Sequence, residues 1–248
     1  MNKIEIYSES GYTGGKGASG VYQKIINEIR PFDILIIPFL GHCAISRNIN
    51  LQNSRVIAMD LDNEVIKNWK DANYSWIDLH HRDGIDKTSE LIASIGSTKK
   101  ICIYGDPTYR MASIKSQREP YRYTMSDDDH HRFLDAAELW AMQANVDVLI
   151  SHYPDSLYET RLSKLRGWRT IQFQAQTRRG VATECLFMNY QHVDGKLQDY
   201  QYIGDNKHER YNLKNRTAVN LIAKLERMEV RKRQAVIHYL KEYLEKID

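Results

Sequence analysis

The sequence predicts an α/β protein: a mostly parallel sheet with helices on both faces, an antiparallel edge and a C-terminal helical tail. Three observations carry that expectation. Apolar runs of strand length alternate with amphipathic stretches, the pattern of strands buried on both faces. Most of these runs stop at a glycine or an acidic residue, and ligands of open α/β sheets sit beyond such carboxyl ends. Two later β patterns are joined by a short loop, which suits a hairpin and not a crossover.

The first buried strand is Asp33-Ile34-Leu35-Ile36-Ile37, ending at Pro38-Phe39-Leu40-Gly41. The second, Arg55-Val56-Ile57-Ala58-Met59, stops at Asp60, and a weaker third is Ser75-Trp76-Ile77-Asp78-Leu79. Lys100-Ile101-Cys102-Ile103-Tyr104 leads to Asp106, and Val146-Asp147-Val148-Leu149-Ile150 ends at Ser151. Helical periodicity covers Asn63 to Asp71 and Lys87 to Ile95. Ser126 reads as the N-cap of a helix through about Gln143. Asp127, Asp128 and Asp129 fall in its first turn, where the dipole favours carboxylates. The closing strands, Thr170 to Ala175 and Glu184 to Tyr190, flank a hairpin loop, Thr177-Arg178-Arg179-Gly180.

The chain has 248 residues, 42% of them hydrophobic, and a mean hydropathy of -0.58. That suits one large soluble domain with a modest appendage. No apolar run approaches the roughly 18 to 20 residues that span a bilayer. The first residues lack a secretory apolar core, so a cytoplasmic location is expected, without membrane partners. Three widely spaced cysteines, Cys43, Cys102 and Cys185, form neither a disulfide framework nor a metal-site spacing. From Asn206 to Asp248 there are 11 Lys/Arg against 6 Asp/Glu, which leaves the rest of a +3 chain at −2. A catalytic body over residues 1–205 and a basic helical extension over 206–248 are therefore expected. Such an extension suits phosphate contact, or equally a solvated amphipathic helix pair.

Tyr12-Thr13-Gly14-Gly15-Lys16-Gly17 lets backbone approach a ligand, with a cation beside it. It lacks P-loop spacing, and a surface loop is its plain alternative. About 20 residues after Gly41 comes Asp60, the spacing at which Rossmann-like folds place a carboxylate on a nucleotide ribose. Asp60 and Asp62 also suit helix N-caps. Asp83, in His80-His81-Arg82-Asp83-Gly84, sits where a carboxylate meets the adenine amine of a bound cofactor. Neither His80-His81 nor His130-His131 suggests a metal. Neighbours on a strand face opposite ways, and on a helix they lie about 100° apart.

The sharpest segment is Ile103-Tyr104-Gly105-Asp106-Pro107-Thr108-Tyr109. A buried strand delivers a carboxylate, a proline and an aromatic ring in four consecutive residues. An exocyclic amine conjugated to a ring is a poor nucleophile. A carboxylate accepting one N–H and a backbone carbonyl accepting the other orient that nitrogen towards an electrophile. Tyr109 is expected to stack on a base flipped out of its duplex.

In their order these segments resemble the adenine-specific DNA methyltransferases of the bacterial and phage deoxyadenosine-methylase type. That family runs from a GGK segment through an EPF-G-G turn and two acidic cofactor contacts to DPPY. Gly14-Gly15-Lys16, Pro38-Phe39-Leu40-Gly41, Asp60, Asp83 and Asp106-Pro107-Thr108-Tyr109 match in sequence. Ser151-His152-Tyr153, Thr183-Glu184-Cys185-Leu186-Phe187 and the basic tail extend the likeness over about residues 10 to 245. The resemblance implies a Rossmann-like methyltransferase fold that moves a methyl group from S-adenosylmethionine to adenine in DNA. It assigns Tyr12, Gly15, Lys16, Phe39, Gly41, Asp60 and Asp83 to the cofactor, and Asp106, Pro107 and Tyr109 to catalysis. Double-stranded DNA is the expected partner of a monomer, in a restriction-modification or phage setting. DNA contacts are expected from Arg110, Lys115, Arg118, Tyr121 and Arg122, from Arg178 and Arg179, and from Lys232 and Arg233 against phosphates. Ile37, His42, Cys43 and Thr108 depart from the family pattern. The first three motivate a second reading, a DNA-binding relative with weakened or lost cofactor binding. A third keeps the reaction and changes the nitrogen, to cytosine or an amide-like group.

Overall fold

Ile34, Leu35, Ile36 and Ile37 are all buried, and strand β1 is formed by these four residues, Ile34–Ile37. A strand with both faces covered cannot alternate apolar and polar, hence its unbroken run. The structure is a computed structural model that describes residues 16–17, 20–51, 53–114, 122–177, 180–191, 197–200, 203 and 207–247. The chain divides into two units, Met1–Asp194 and Gly195–Asp248.

In the first unit, α1 (Val21–Ile26) precedes β1, followed by α2 (Ala44–Asn48), β2 (Arg55–Asp60), α3 (Asn63–Asp71) and β3 (Ile77–His81). Next come α4 (Gly84–Ile95), β4 (Ile101–Gly105), α5 (Asp127–Ala141), β5 (Val146–His152), α6 (Ser156–Arg161), β6 (Arg169–Thr177) and β7 (Gly180–Met188). The seven strands lie in the order β3-β2-β1-β4-β5-β7-β6. Only β7 runs against its neighbours, β5 and β6. The sheet is thus the expected mostly parallel, Rossmann-like one. Its antiparallel strand is inserted between β5 and the edge strand β6. Strand order reverses between β1 and β4, which pair through Ile34↔Ile101 to Ile36↔Ile103. A crevice opens at such a switch point, beyond the carboxyl ends.

Alternate residues feed two cores. Leu35, Ile37, Val56, Ala58, Cys102 and Tyr104 pack with Ile25, Ile45, Ile66 and Trp69 on one face. Ile36, Ile57, Ile103, Val148 and Ile150 pack with Phe133, Leu134, Trp140 and Tyr158 on the other. Each fully buried Ile or Phe contributes about 1.5–3 kcal/mol from apolar burial.

Two boundaries differ from the sequence reading. β3 starts at Ile77 and not at Ser75, because it pairs with β2 from Val56↔Ile77 up to Asp60↔His81. At the sheet edge its polar Asp78, His80 and His81 are tolerated. α4 begins at Gly84 and not at Lys87, since Asp83 caps it by accepting from the N–H groups of Ile85 and Asp86. A Cβ on Gly84 would lie 1.8 Å from the Pro38 carbonyl oxygen, so this helix start rests against the backbone after β1. α5 starts as expected, with a capping box between Ser126 and Asp129.

The second unit contains α7 (Lys207–Asn212), a π-helical turn (Leu213–Thr217), α8 (Ala218–Glu226) and α9 (Val230–Ile247). Leu221, Ile222, Leu240 and Leu244 are exposed there. No described helix of the chain is long and apolar enough to cross a membrane.

Candidate active site

A cleft of about 390 Å³ lies at the carboxyl ends of β1, β2 and β4, between the starts of α4 and α5. One wall, around Gly41 and Asp60, is a turn held by backbone. Gly41 adopts a left-handed φ of 43°, open to glycine at little cost. Its N–H donates to Asp60 Oδ2 at 2.8 Å, while Asp62 N–H donates to Asp60 Oδ1 at 2.8 Å. The Gly41 carbonyl accepts from the Trp69 indole at 2.8 Å, and Leu40 N–H donates to the Met59 carbonyl at 2.8 Å. Burial pushes the Asp60 carboxyl above its ordinary range, against the opposing pull of those two N–H groups. Among the described residues, each Asp60 oxygen accepts one hydrogen bond, which leaves a second lone pair for a ligand.

The helix cap in this region is Asp62, whose Oδ1 accepts from Glu64 N–H at 2.9 Å; Asp60 braces the turn. Asp83 lines the cleft, with Oδ1 engaged by the α4 N–H groups and Oδ2 paired with Arg132. Phe39 lines the floor, edge-on to Phe133 with ring centroids 5.0 Å apart. Leu61, Ile85 and Met125 complete an apolar slot. His42 and Cys43, the departures from the family turn, line the same wall, and Ile37 is buried in the core. Burial and nearby Arg47 lower the His42 pKa, so its ring is neutral at pH 7. Burial raises the Cys43 thiol.

The opposite wall is the Asp106 corner, at the end of β4. β4 ends at Gly105, where a Cβ would lie 2.8 Å from the Phe133 ring, and Asp106 follows at the mouth of the strand. The Asp106 side chain is 20% exposed, and its Oδ1 lies 3.1 Å from Lys16 Nζ. Lys16 also lies 2.8 Å from Glu184 Oε1. The Tyr109 hydroxyl donates to that same Glu184 oxygen at 2.7 Å and also contacts Lys16. Burial pushes the Asp106 carboxyl up to about 6, with Lys16 pulling down and Glu184 pushing further up.

Several sequence expectations meet a different geometry. Tyr109 is 3% exposed, packed against Tyr153 at 4.3 Å and His152 at 5.0 Å. Its ring is not presented to a flipped base; its hydroxyl braces Glu184. Lys16 lines the cleft but binds the two carboxylates. Arg110, expected on DNA, is directed inward to Asp127 at 3.0 Å and Asp155 at 2.9 Å. Those two carboxylates hold its guanidinium charged, Asp127 contributing most. Arg122 sits on the cleft rim and pairs with Glu64 and Asp62. The Thr108 hydroxyl oxygen accepts from Met125 N–H at 2.9 Å, pinning the residues before α5 across the cleft. Lys232 and Arg233 lie on α9. Tyr12, Gly15, Lys115, Arg118, Tyr121, Arg178 and Arg179 lie outside the described residues.

Sequence reasoning missed Arg132 and Met125 and gave Glu184 no role, whereas Asp62 is the helix N-cap that the sequence suggested. For Glu184 a signal existed: one carboxylate opening the otherwise apolar run Cys185-Leu186-Phe187-Met188. A buried charge at that position requires a partner. His152 is a further surprise. Its Nδ1 faces the Tyr153 carbonyl at 2.8 Å while Nε2 accepts Arg110 N–H at 3.2 Å, so the proton sits on Nδ1. Burial lowers its pKa to about 4, which keeps it in that neutral form.

No family model matches the sequence, and no curated protein matches it. Solved structures match in part. The 23S rRNA methyltransferase ErmE is 11% identical with a TM-score of 0.43, covering 69% of this chain and 68% of its own. A SAM-dependent methyltransferase from Agrobacterium tumefaciens is 16% identical with a TM-score of 0.43, covering 67% and 58%. A NADB-Rossmann superfamily protein from Streptococcus agalactiae is 13% identical with a TM-score of 0.44, covering 93% and 97%. At these scores the likenesses carry no argument about activity.

Proposed function

We propose that this chain is an S-adenosylmethionine-dependent methyltransferase that methylates the exocyclic amine of adenine in DNA. The observation that carries the reading is Asp106: a carboxylate at the end of β4, facing a cleft at the switch point of the sheet. The cleft suits the cofactor by the chemistry of its lining. Phe39, Leu61, Ile85 and Met125 offer an apolar slot for a nucleobase, Asp60 and Asp83 offer acceptors, and Gly41 allows close backbone approach. Its size lies within the usual range of about 300–1,000 Å³ for small-molecule sites. When bound, S-adenosylmethionine supplies an electrophilic methyl group on a sulfonium.

The chain's own groups do the rest. Asp106 accepts one N–H of the target amine, and the Pro107 carbonyl accepts the other, fixing the nitrogen lone pair towards the cleft. As the nitrogen gains its new bond it becomes cationic, and Asp106 is placed to take the surplus proton before passing it to water. Tyr109 serves from behind, holding Glu184, in place of the stacking role read from the sequence. DNA contact is proposed for Lys115, Arg118 and Tyr121, for Arg178 and Arg179, and for Lys232 and Arg233 against phosphates.

The test has two parts. Calorimetric titration with S-adenosylmethionine is expected to show saturable binding. Incubation with mixed-sequence duplex DNA and labelled cofactor, followed by nucleoside mass spectrometry, is expected to yield methylated deoxyadenosine. No cofactor binding at millimolar concentration would overturn the enzyme reading. Methylated cytosine alone would overturn the adenine assignment.

A further inference from the structure

Glu184 lies on β7, far in sequence from the motif it serves. Its side chain is 3% exposed, and one oxygen, Oε1, receives both Lys16 and the Tyr109 hydroxyl. Lys16 Nζ also stands 4.7 Å from the centre of the Tyr109 ring. A closer approach of Lys16 to Asp106, which it already meets at 3.1 Å, would therefore draw it away from a buried carboxylate and a ring face. Two carboxylates share one ammonium, a formal surplus of one negative charge beside the cleft.

We propose that Glu184 is a positioning residue for this site: it anchors Lys16 and Tyr109 so that Lys16 meets Asp106 at one oxygen, and Asp106 keeps its capacity to accept a proton. This rests on the methyltransferase reading for its purpose, but not for its geometry. Without Glu184, Lys16 would pair with Asp106 alone and make it a weaker acceptor for the cationic nitrogen. Without Lys16, the two carboxylates would repel, and Asp106 would stay protonated to higher pH. Other titratable groups facing Asp106 are Tyr104 on β4, Cys43 before α2, Tyr109 and Tyr153. Burial raises Tyr104, Cys43 and Tyr153, so these three stay neutral across the range in question.

The experiment is a titration of the full chain carrying 13C-labelled aspartate carboxyls, followed by NMR without cofactor or DNA. Asp106→Asn identifies the resonance by its loss. The wild-type midpoint is expected near 6. Glu184→Gln is expected to lower it by about one pH unit or more, a tenfold change in proton affinity. Lys16→Met is expected to raise it. In the active enzyme the acid limb of the pH–rate profile moves in the same directions. An Asp106 midpoint that stays put in Glu184→Gln overturns the proposal, and Glu184→Asp, whose shorter side chain is expected to shift the midpoint by loosening Lys16, carries the test in the same way if Glu184→Gln does not fold. Midpoints that move as stated in a protein that transfers no methyl group support the role of Glu184 and count against the proposed function.

Discussion

The two walls of the cleft are built from different materials. On the cofactor side, Gly41, Asp60, Asp62 and Asp83 are tied by backbone N–H groups within a few residues or one strand of each other. At the Asp106 corner, Lys16, the Asp106–Tyr109 segment and Glu184 come from three separate parts of the chain and meet through polar and charged side chains. A backbone-braced wall keeps its shape as long as its carboxylates accept those N–H groups. An ionic corner has a shape and a charge that follow protonation. Under the proposed function, the first wall shapes the cofactor site, and the second holds the target amine and sets the pH dependence of the chemistry.

The strongest way to break that division is Asp106→Ala. It is expected to cut methyl transfer by at least about a thousandfold, since a positioned acceptor for the developing cation is lost. Cofactor affinity, measured by calorimetry, should stay within a few-fold. Equal loss of both would show that the two walls are one structural unit. The reciprocal change is Gly84→Ala. Its Cβ would meet the Pro38 carbonyl carbon at 2.6 Å and its oxygen at 1.8 Å, both backbone atoms. Thermal unfolding is expected to show a loss of about 1–3 kcal/mol from overpacking, with weaker cofactor binding as the turn shifts. An unchanged Tm and affinity would show that the turn yields freely.

Behind the Asp106 corner, His130 and His152 are held neutral by burial, each with its pKa lowered from 6.5 to about 4. Between pH 6.5 and 4 the unfolded chain binds more protons at these sites than the folded one. Stability is therefore full above pH 6.5 and falls as pH drops towards 4, on the order of 3 kcal/mol per histidine. Urea midpoints measured across that range should fall, and His130→Phe should remove part of the slope. A flat profile would show that these rings are solvated. The smallest expected effect is Thr108→Val, which removes the acceptor for Met125 N–H. About 1 kcal/mol of stability should be lost, along with some cofactor affinity, as residues before α5 loosen over the cleft. Unchanged binding would place the 122–125 segment outside the site.

The fold was largely legible. Continuous apolar runs identified β1, β2, β4 and β5, and the strand-end positions of Gly41, Asp60, Asp83 and Asp106 located the cleft. β3 was misjudged by two residues because an edge strand tolerates Asp78, His80 and His81, which mask its pattern. Asp83 was read as a ligand residue, and it is also the cap of α4, since a strand-end carboxylate before a glycine serves either purpose. Arg110 and Tyr109 looked outward from their types alone. Their inward placement depends on Asp127, Asp155 and Glu184, none of which is adjacent in sequence.

The sequence by itself determined the alternation of strand and helix, the two-faced burial of the sheet and the residues at its carboxyl ends. Those follow from hydrophobic periodicity and turn chemistry, which act over a few residues. Only the tertiary structure decided that Lys16 reaches Asp106, that Glu184 shares it, and that Tyr109 is buried. Those contacts span 93 residues from Lys16 to Tyr109 and 75 from Tyr109 to Glu184. A charge paired across such distances leaves no local pattern, because its partner is chosen by how the sheet stacks its strands.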